Sequence, residues 1–447
     1  MQSEADSLTI IDRALEAARS DEADATFMSS DANVSRFANS NLMQNMSEIS
    51  AELTLRVFVD GASGVASTTS FEPDDIVEMA AVAREAARHS LPLPSFAGLY
   101  RAPHPALRAT LSPLAGRGQG EGPAEKARAL RTMFDRGREA GVLFAGSYST
   151  DTSSVACGNT NGVRRYSTTS ASEATVIAIR GEESGYATDI SRRGVDMLAL
   201  GREAIEKATL RSGVHEQIDD EPYDVILEPP AICEVLEWMN MIAFSGQSYE
   251  DGSSFFVGNL GKQIASTNFT LADDAVDSDF MPFPFDMEGL PKKRIAIIEN
   301  GVARTPVVDK PYADRLGIPP TANCWALGAP EHGTALHQSV GAGDTTREEL
   351  IRSTKRGIWV TRFNYVNGLL EPKTALMTGT TRDGTFLIRD GSVVARLPNL
   401  RWTQSMVEAF SRVEGLSQER RRVGTWFNAF GATIAPAMKI SGWHFGG

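Results

Sequence analysis

A strand that runs directly into an amphipathic helix carries the residues with the clearest chemical potential in this sequence. The strand pattern covers 223–227, Glu228 and Pro229 stand at the junction, and Cys233 follows on the helix. Such a junction suits a metal site, because the helix fixes the spacing of ligands while the strand anchors its start. Zinc hydrolysis needs two or three imidazoles or equivalent ligands, and a carboxylate that accepts a proton from the bound water. The junction has no histidine, so the usual ligand set is incomplete.

The histidines supply only one other close pair for metal binding. His332 and His337 are near each other in sequence, but Pro330 and Gly333 disfavour a regular helix, and their spacing would misalign the two rings on one. A serine triad is not supported by any GxSxG segment. Cys233 could be a nucleophile, but we interpret it as a core residue, because apolar side chains share the inner face of its helix.

Composition indicates a large intracellular protein. The 447 residues suffice for two or three domains, and the formal charge of −13 disfavours direct nucleic-acid binding. The three cysteines are far apart and form no CxxC pair, which argues against a disulfide scaffold and favours a reducing cytoplasm. No apolar run is long enough to span a bilayer, so we expect a soluble cytoplasmic protein without membrane association.

The N-terminal region, residues 1–214, is predicted to contain one α+β unit twice, over about 8–90 and 124–210. Short matches recur at a nearly constant offset: Asn39 and its neighbours resemble Asn159 and its neighbours, and Gly64-Val-Ala resembles Gly185-Tyr-Ala. We interpret both asparagines as turn formers. The predicted elements are a helix over 8–20, strands over 23–28, 34–41 and 47–59, a helix over 73–89, a helix over 124–140, strands within 142–179 and a helix over 192–208.

The rest of the chain is predicted to be a flexible insertion and a β-rich domain. Proline and glycine are dense over 101–123, which defeats both helix and strand formation. Residues 221–447 are predicted to form the C-terminal domain, so the fold class is α+β, with a duplicated helix-strand-helix N-terminal region. Its predicted elements are the junction strand and helix, a helix from Thr346 to Arg356, a strand over 357–367, Asp-Gly turns at 383–384 and 390–391, a helix over 403–414 and a closing strand over 437–442.

Several spaced segments together carry a family resemblance. They are 35–40, Leu55-Arg-Val57 with Asp60-Gly61 and Gly64, Val225-Ile-Leu227, Gly357-Ile-Trp-Val-Thr-Arg362, and 378–386. In combination they resemble the TldD/PmbA family, long labelled modulators of DNA gyrase. The resemblance implies a cytoplasmic heterodimeric metallopeptidase that cuts unfolded or precursor peptides in a closed chamber. It also implies that one subunit, the TldD type, carries HExxxH after the junction strand and a cysteine ligand near the C-terminus.

This sequence departs from the TldD type at each of those positions. Glu228, Pro229 and Cys233 occupy the HExxxH positions, and no cysteine follows Cys324. Pro229 cannot act as a general base, so the resemblance implies no catalytic residue and no metal ligand here. The proline-containing segment instead resembles the TldE/PmbA type, which implies a non-catalytic subunit without a cofactor of its own, with zinc in a TldD-like partner.

Candidate contacts for a peptide or partner are predicted from strand addition, with solvated strand and turn residues as the alternative interpretation. An extended peptide could add to an exposed sheet edge. The candidate peptide or interface contacts are Arg362, Asn364, Tyr365, Arg382 and Asp383. Three alternatives stay open: a homodimer, a self-sufficient metallopeptidase that uses Glu228, Cys233 or the two close histidines, and a non-enzymatic regulator of gyrase.

Overall fold

The computed structural model describes most of the chain. The described residues are 2–20, 22–101, 123–277, 280–424 and 431–446. The insertion predicted over 101–123 lies almost entirely outside these residues, so its flexibility stays a prediction.

The N-terminal region has the predicted order of helix, three strands and helix, twice. Each helix buries one apolar face against the sheet, as the helical spacing of the apolar residues predicts, and both cores include residues of the other unit. The strand patterns predicted over 23–28 and 34–41 belong to one continuous strand. The elements are α1 (Glu4–Ala18), β1 (Ala23–Ala38), β2 (Asn41–Val59), β3 (Ala62–Thr68), α2 (Pro73–His89), α3 (Pro123–Ala140), β4 (Leu143–Asn159), β5 (Arg164–Arg180), β6 (Glu183–Ser191) and α4 (Met197–Thr209).

One antiparallel sheet joins the two units. Its strand order is β3-β2-β1-β4-β5-β6, so the two three-stranded meanders meet along β1 and β4. Asp31 pairs with Thr152 at this seam, and the two residues are separated by the same offset as Gly64 and Gly185. The units are therefore related by an approximate two-fold axis through the seam.

The repeated glycine marks a close approach of strand and helix. A Cβ atom added to Gly64 would lie 2.2 Å from the backbone oxygen of Ala83, and one added to Gly185 would lie 2.3 Å from that of Ala204. Any side chain at either position would push the helix off the sheet. The sequence echo around these glycines thus has a packing cause that both units share.

The C-terminal domain is built on a second, larger sheet. Its order is β10-β9-β8-β11-β17-β7-β12-β13-β14, while β15 pairs with β13 and β16 pairs with β17. The fold-class prediction is confirmed, whereas the predicted domain bounds stay a prediction. The elements are β7 (Tyr223–Leu227), α5 (Pro229–Met239), α6 (Gly246–Glu250), β8 (Leu271–Asp273), β9 (Ile295–Glu299), β10 (Val302–Ala303), α7 (Lys310–Leu316), β11 (Gln338–Val340), α8 (Arg347–Arg352), β12 (Arg356–Glu371), β13 (Leu376–Arg389), β14 (Ser392–Arg396), β15 (Arg401–Ser405), α9 (Met406–Ser411), β16 (Val413–Gly424) and β17 (Ala432–Trp443), with a π-helical turn over Asn240–Phe244 and a 3-10 turn over Pro372–Thr374.

The prediction of a hairpin turn at 383–384 is wrong. Strand β13 continues through this site, and Asp383 and Gly384 both have positive φ. They lie opposite Thr361 alone, because Val360 pairs with Thr385 and Arg362 pairs with Arg382. An Asp-Gly pair satisfies the backbone conformation of a bulge as well as that of a turn. The other Asp-Gly pair, 390–391, does form the hairpin between β13 and β14.

Two predicted helices of this domain are shorter than expected. The helix predicted over 403–414 begins only at Met406, because the preceding residues form β15 against β13, and Ser405 caps the helix. The helix that begins after Thr346 ends at Arg352 rather than Arg356, which already belongs to β12. In both cases pairing with a distant strand outweighs local helical spacing.

A buried ion-pair cluster connects the N-terminal sheet with the C-terminal domain. The Arg56 guanidinium lies 2.5 Å from an Asp24 carboxylate oxygen and 2.7 Å from a Glu288 carboxylate oxygen, and all three side chains are almost fully buried. The second Glu288 oxygen accepts a hydrogen bond from the Lys310 backbone N–H. Burial raises the pKa of Glu288 to about 8; Arg56 opposes this shift, whereas Asp309 reinforces it.

Removing the central cation should be costly. We expect Arg56→Met to lower the free energy of unfolding by about 3–5 kcal/mol, because the Asp24 carboxylate would stay buried without its cation. Urea denaturation measures the loss. The matched control is Arg88→Met, which breaks an exposed pair with Glu85 and should have a much smaller effect. Equal effects of the two variants would contradict the assignment.

The raised pKa of Glu288 also predicts a pH dependence of stability. Above the ordinary carboxyl range and below pH 8, the folded chain holds a proton that the unfolded chain releases. This group's contribution is therefore fully present in acid and is lost as the pH rises through about 8. We expect the melting temperature to fall less between about pH 6 and about pH 9 in Glu288→Gln than in the natural chain. The exposed control Glu85→Gln should keep the full slope, and identical slopes in all three proteins would refute the prediction.

Candidate functional site

The strand-to-helix junction lies at the centre of the second sheet. Strand β7 runs parallel to β12 and antiparallel to β17, and its apolar side chains are fully buried. Glu228 is the N-cap of α5 and has extended backbone angles. Pro229 occupies the first turn of α5. A backbone N–H there would have no partner within the helix, so the proline costs no hydrogen bond. The local sequence thus places Glu228 at a rigid, buried position.

The carboxylate of Glu228 is held by three donors. The Lys207 ammonium lies 2.5 Å from Oε2, and the Arg347 guanidinium donates to Oε1 at 2.9 Å. The indole N–H of Trp359 donates to the same oxygen at 3.1 Å. Lys207 comes from α4 of the N-terminal region, so this cluster also connects the two regions of the chain. Two cations beside one buried carboxylate leave it compensated and hydrogen-bonded.

A second layer of charges surrounds this cluster. Lys207 also lies 2.6 Å from Glu203, which in turn pairs with Arg421. Burial alone would raise the pKa of Glu203, but Lys207 and Arg421 hold it below its usual range. Burial would likewise lower the pKa of Arg347, but the Glu228 carboxylate raises it. Glu203 and Arg347 are therefore both charged at neutral pH.

Cys233 faces the core of the domain. Its side chain is buried, and Sγ lies 3.9 Å from the backbone oxygen of Thr433. Burial raises the pKa of the thiol well above its ordinary value, and Glu237 adds to this shift. Because the thiolate is both the nucleophile and the metal ligand, Cys233 is suited to neither role. The core role predicted from the sequence agrees with this position.

The two close histidines contact different carboxylates. Nδ1 of His332 lies 2.8 Å from Asp309, and its ring stacks on Tyr312. His337 is buried, and its backbone N–H donates to Asp273. In the described part of the chain, no group of three or more histidine, cysteine, aspartate or glutamate side chains could hold a metal ion.

A charged cavity opens beside the junction. It has a volume of about 710 Å³ and lies between α4 and β6 of the N-terminal region and β16 of the C-terminal domain. Lys207 and Arg347 line it, and they also line a smaller cavity of about 100 Å³ that reaches Glu228 and Pro229. Six of the side chains around the larger cavity are cationic and four are acidic. Such a surface favours a polar ligand over an apolar one.

The predicted peptide or interface contacts fall into two groups. Arg362 and Asp383 form an ion pair at 2.5 Å; Asp383 accepts a hydrogen bond from Ser184, and Arg362 lies over the ring of Tyr186. This pair therefore joins the second sheet to β6. Asn364 is partly exposed, and Tyr365 and Arg382 are exposed, with Tyr365 at positive φ. A role of these residues in binding a peptide or a partner stays a prediction.

Sequence reasoning missed the residues that neutralise Glu228. Lys207, Arg347 and Trp359 each lie in a segment whose helix or strand was predicted, but none was assigned to the site. One signal was available: Glu203 and Lys207 are one helical turn apart, which pairs them on α4. Nothing in the local sequence connects that turn to Glu228.

Family profiles match almost the whole described chain. The profile described as PmbA/TldA metallopeptidase C-terminal domain matches residues 220–447, domain 1 matches 23–87, and the central domain matches 121–211. This chain belongs to the PmbA/TldD family. The family resemblance seen in the sequence is confirmed.

Individual relatives of this PmbA/TldD-family chain are distant. A metalloprotease of Methanothermobacter thermautotrophicus is 23% identical over 51% of this chain and 49% of its own length. A metalloprotease PmbA homolog of Haemophilus influenzae is 25% identical over 45% of this chain and 42% of its own length. The chain spans about half or less of the length of the curated relatives it matches. The crystal structure of TldE from Thermococcus kodakarensis has a TM-score of 0.84 at 19% identity, with full coverage of both chains, so the fold is shared.

The family is named for metallopeptidases, but the junction of this family member does not fit a zinc ion. Glu228 is already neutralised by two cations, Pro229 has no side-chain base, and Cys233 is a buried thiol. A divalent cation near Glu228 would also be repelled by Lys207 and Arg347. No hydrolytic step through a metal can be derived at this site. Of the helices in the described part of the chain, none has the length and apolar character to cross a bilayer.

The compensation of Glu228 predicts strong coupling in stability. We expect Lys207→Met to lower the free energy of unfolding by about 3–5 kcal/mol, because it leaves a buried carboxylate with one cation fewer. The double variant Lys207→Met/Glu228→Gln should lose less than the sum of the single variants. Chemical denaturation of the four proteins measures this coupling.

The control for this cycle is Arg136→Met, which breaks an exposed pair with Glu139 and should cost less than about 1 kcal/mol. Strict additivity of Lys207→Met and Glu228→Gln would show that the two side chains do not depend on each other.

Proposed function

We propose that this chain is a TldE/PmbA-like, non-catalytic subunit of a heterodimeric zinc metallopeptidase. The observation that carries the proposal is the chemistry of the junction, where Glu228, Pro229 and Cys233 stand at the HExxxH positions. Lys207 and Arg347 hold the Glu228 carboxylate, Pro229 has no basic side chain, and Cys233 is a buried thiol.

The zinc and the general base are then supplied by a TldD-like partner. Hydrolysis of a peptide bond needs a metal-bound water and a nearby base, and neither can be assembled around Glu228. The full-length likeness in fold to TldE supports the assignment to this subunit type. On this proposal the protein acts in the cytoplasm.

The substrate class is an unfolded or precursor peptide. The cavity of about 710 Å³ is bordered by charged side chains of both regions of the chain, which suits polar groups of an extended backbone. Its walls contribute to the chamber that holds the peptide, while the partner cleaves it. Strand addition to a sheet edge would read the backbone rather than the side chains, which fits a peptidase for varied sequences.

The experiment is zinc analysis and peptide hydrolysis with the purified chain alone and with the complex purified from its native host. We expect the chain alone to hold far less than one zinc per molecule and to leave an unfolded peptide intact. The complex should hold zinc and cleave the peptide, because the partner supplies the metal site.

Two variants of the chain separate this proposal from a self-sufficient enzyme. Glu228→Gln and Cys233→Ala should leave the zinc content and activity of the complex unchanged when the complex still assembles. Stoichiometric zinc in the chain alone, with hydrolysis that either variant abolishes, would overturn the proposal and favour the self-sufficient metallopeptidase.

A further inference from the structure

The charged cavity beside the junction differs in composition from the rest of the chain. The whole sequence has 44 lysine and arginine residues against 57 aspartate and glutamate residues. Around the cavity of about 710 Å³ the balance is reversed, with six cationic side chains against four acidic ones. A volume of this size lies within the range of roughly 300–1,000 Å³ that is typical of ligand sites. The local excess of positive charge therefore favours an anionic ligand.

Three consecutive arginines of β16 supply half of these cations. Arg420, Arg421 and Arg422 all line the cavity, and they pair in regular register with residues 434–436 of β17. Arg420 and Arg422 are two residues apart, so they lie on the same face of the strand. Two guanidinium groups on one face repel each other, and an anion in contact with both would reduce this repulsion.

The acids of the chain leave these two arginines loosely paired. The guanidinium of Arg420 lies 3.7 Å from Asp277, beyond hydrogen-bond distance, while its Nη1 atom donates to two oxygens of β11. Arg422 contacts both carboxylate oxygens of Asp189 at 3.3 Å. Hydrogen bonds between arginine and a carboxylate are usually about 2.7–2.9 Å long. The two side chains are 26% and 29% exposed, so each can bind a further carboxylate from outside the chain.

The other cations around the cavity have partners of their own. Lys207, Arg347 and Arg421 pair with buried or half-buried carboxylates. Arg202 is exposed and lies one helical turn before the exposed Glu206 on α4, so these two charges offset each other. The two loosely paired arginines of β16 are therefore the cations of this cavity that are most available to a ligand.

We propose that this cavity binds carboxylates of the peptide, with Arg420 and Arg422 as the residues that contact them. The inference rests on the proposed function, because it names the chemical class of the peptide that the chamber holds. The planar fork of a guanidinium matches a carboxylate, whether that group belongs to an acidic side chain or to the C-terminus. Leu200, Trp359 and Ile434 also border the cavity and offer apolar surface to the rest of the peptide.

The first test is the binding of labelled peptides to the purified full chain, measured by fluorescence anisotropy with no added zinc. Three unstructured peptides of equal length serve as probes. One is rich in glutamate and has an amidated C-terminus, the second has glutamine in place of glutamate and the same amidated end, and the third is the glutamine peptide with a free C-terminal carboxylate.

We expect one or both of the carboxylate-bearing peptides to bind about tenfold more tightly than the amidated glutamine peptide. Preference for the glutamate peptide assigns the site to acidic side chains, and preference for the free carboxylate assigns it to the C-terminus. Equal binding of all three peptides would overturn the proposal.

Two changes in the cavity should act in opposite directions. Arg420→Gln/Arg422→Gln should weaken binding of the preferred peptide by about tenfold and leave binding of the amidated glutamine peptide unchanged. Asp189→Asn removes the acid that competes for Arg422 and should strengthen binding of the preferred peptide. A folding defect cannot produce this gain, so the two variants together keep a structural effect apart from a binding effect.

The matched control is Arg88→Gln/Arg138→Gln, which removes the same charge from two exposed ion pairs that do not line the cavity. This variant should bind all three peptides as the natural chain does. An equal loss of binding in the control would show a general effect of net charge and overturn the assignment to the cavity. Normal binding by Arg420→Gln/Arg422→Gln would overturn it as well.

The outcome is separable from that of the proposed function. If the chain alone holds zinc and cleaves peptides, the non-catalytic role fails, while the affinity differences still test the carboxylate site. If the complex cleaves peptides but the chain shows no preference for carboxylates, only the inference about the cavity fails.

Discussion

The compensation of one buried carboxylate links the fold of this protein to its chemistry. Glu228 lies at the end of the central strand of the larger sheet, where an isolated charge would be strongly unfavourable. Lys207 of the N-terminal region and Arg347 of the C-terminal domain neutralise it together. The same contacts therefore stabilise the junction and join the two regions of the chain.

The duplicated N-terminal region shows how one fold can present two different surfaces. Both units need a glycine where strand and helix meet, and both keep it at Gly64 and Gly185. They differ at the outer edge of the sheet. The C-terminal domain follows the second unit in the chain and approaches the start of β5, where Gly289 lies against Val163, whereas residues 41–50 of β2 are exposed.

The sequence predicted correctly those helices and strands that depend mainly on neighbouring residues. The order of helices and strands in both units follows from apolar periodicity, and the junction at Glu228 follows from a buried strand pattern and a proline at the start of a helix. The predictions were wrong where pairing with a distant strand determines the local structure. The Asp383-Gly384 pair is compatible with a turn as well as a bulge, and only the pairing of β12 with β13 distinguishes the two. The start of α9 was misplaced because β15 must first pair with β13. The partners of Glu228 were missed for the same reason: Lys207 and Arg347 are far from it in sequence and meet it only in the folded chain.

The two cations and the helix dipole around Glu228 all stabilise its carboxylate. The N-terminus of α5 carries partial positive charge beside Glu228, its N-cap residue. Lys207 and Arg347 add two full positive charges to the same side, and Glu203 balances Lys207 in turn. A zinc ion at this place would have to displace both cations and would still lack a base and a thiolate. Positive charge at this buried strand end therefore comes from the protein itself, with Lys207 and Arg347 supplied by two different parts of the chain.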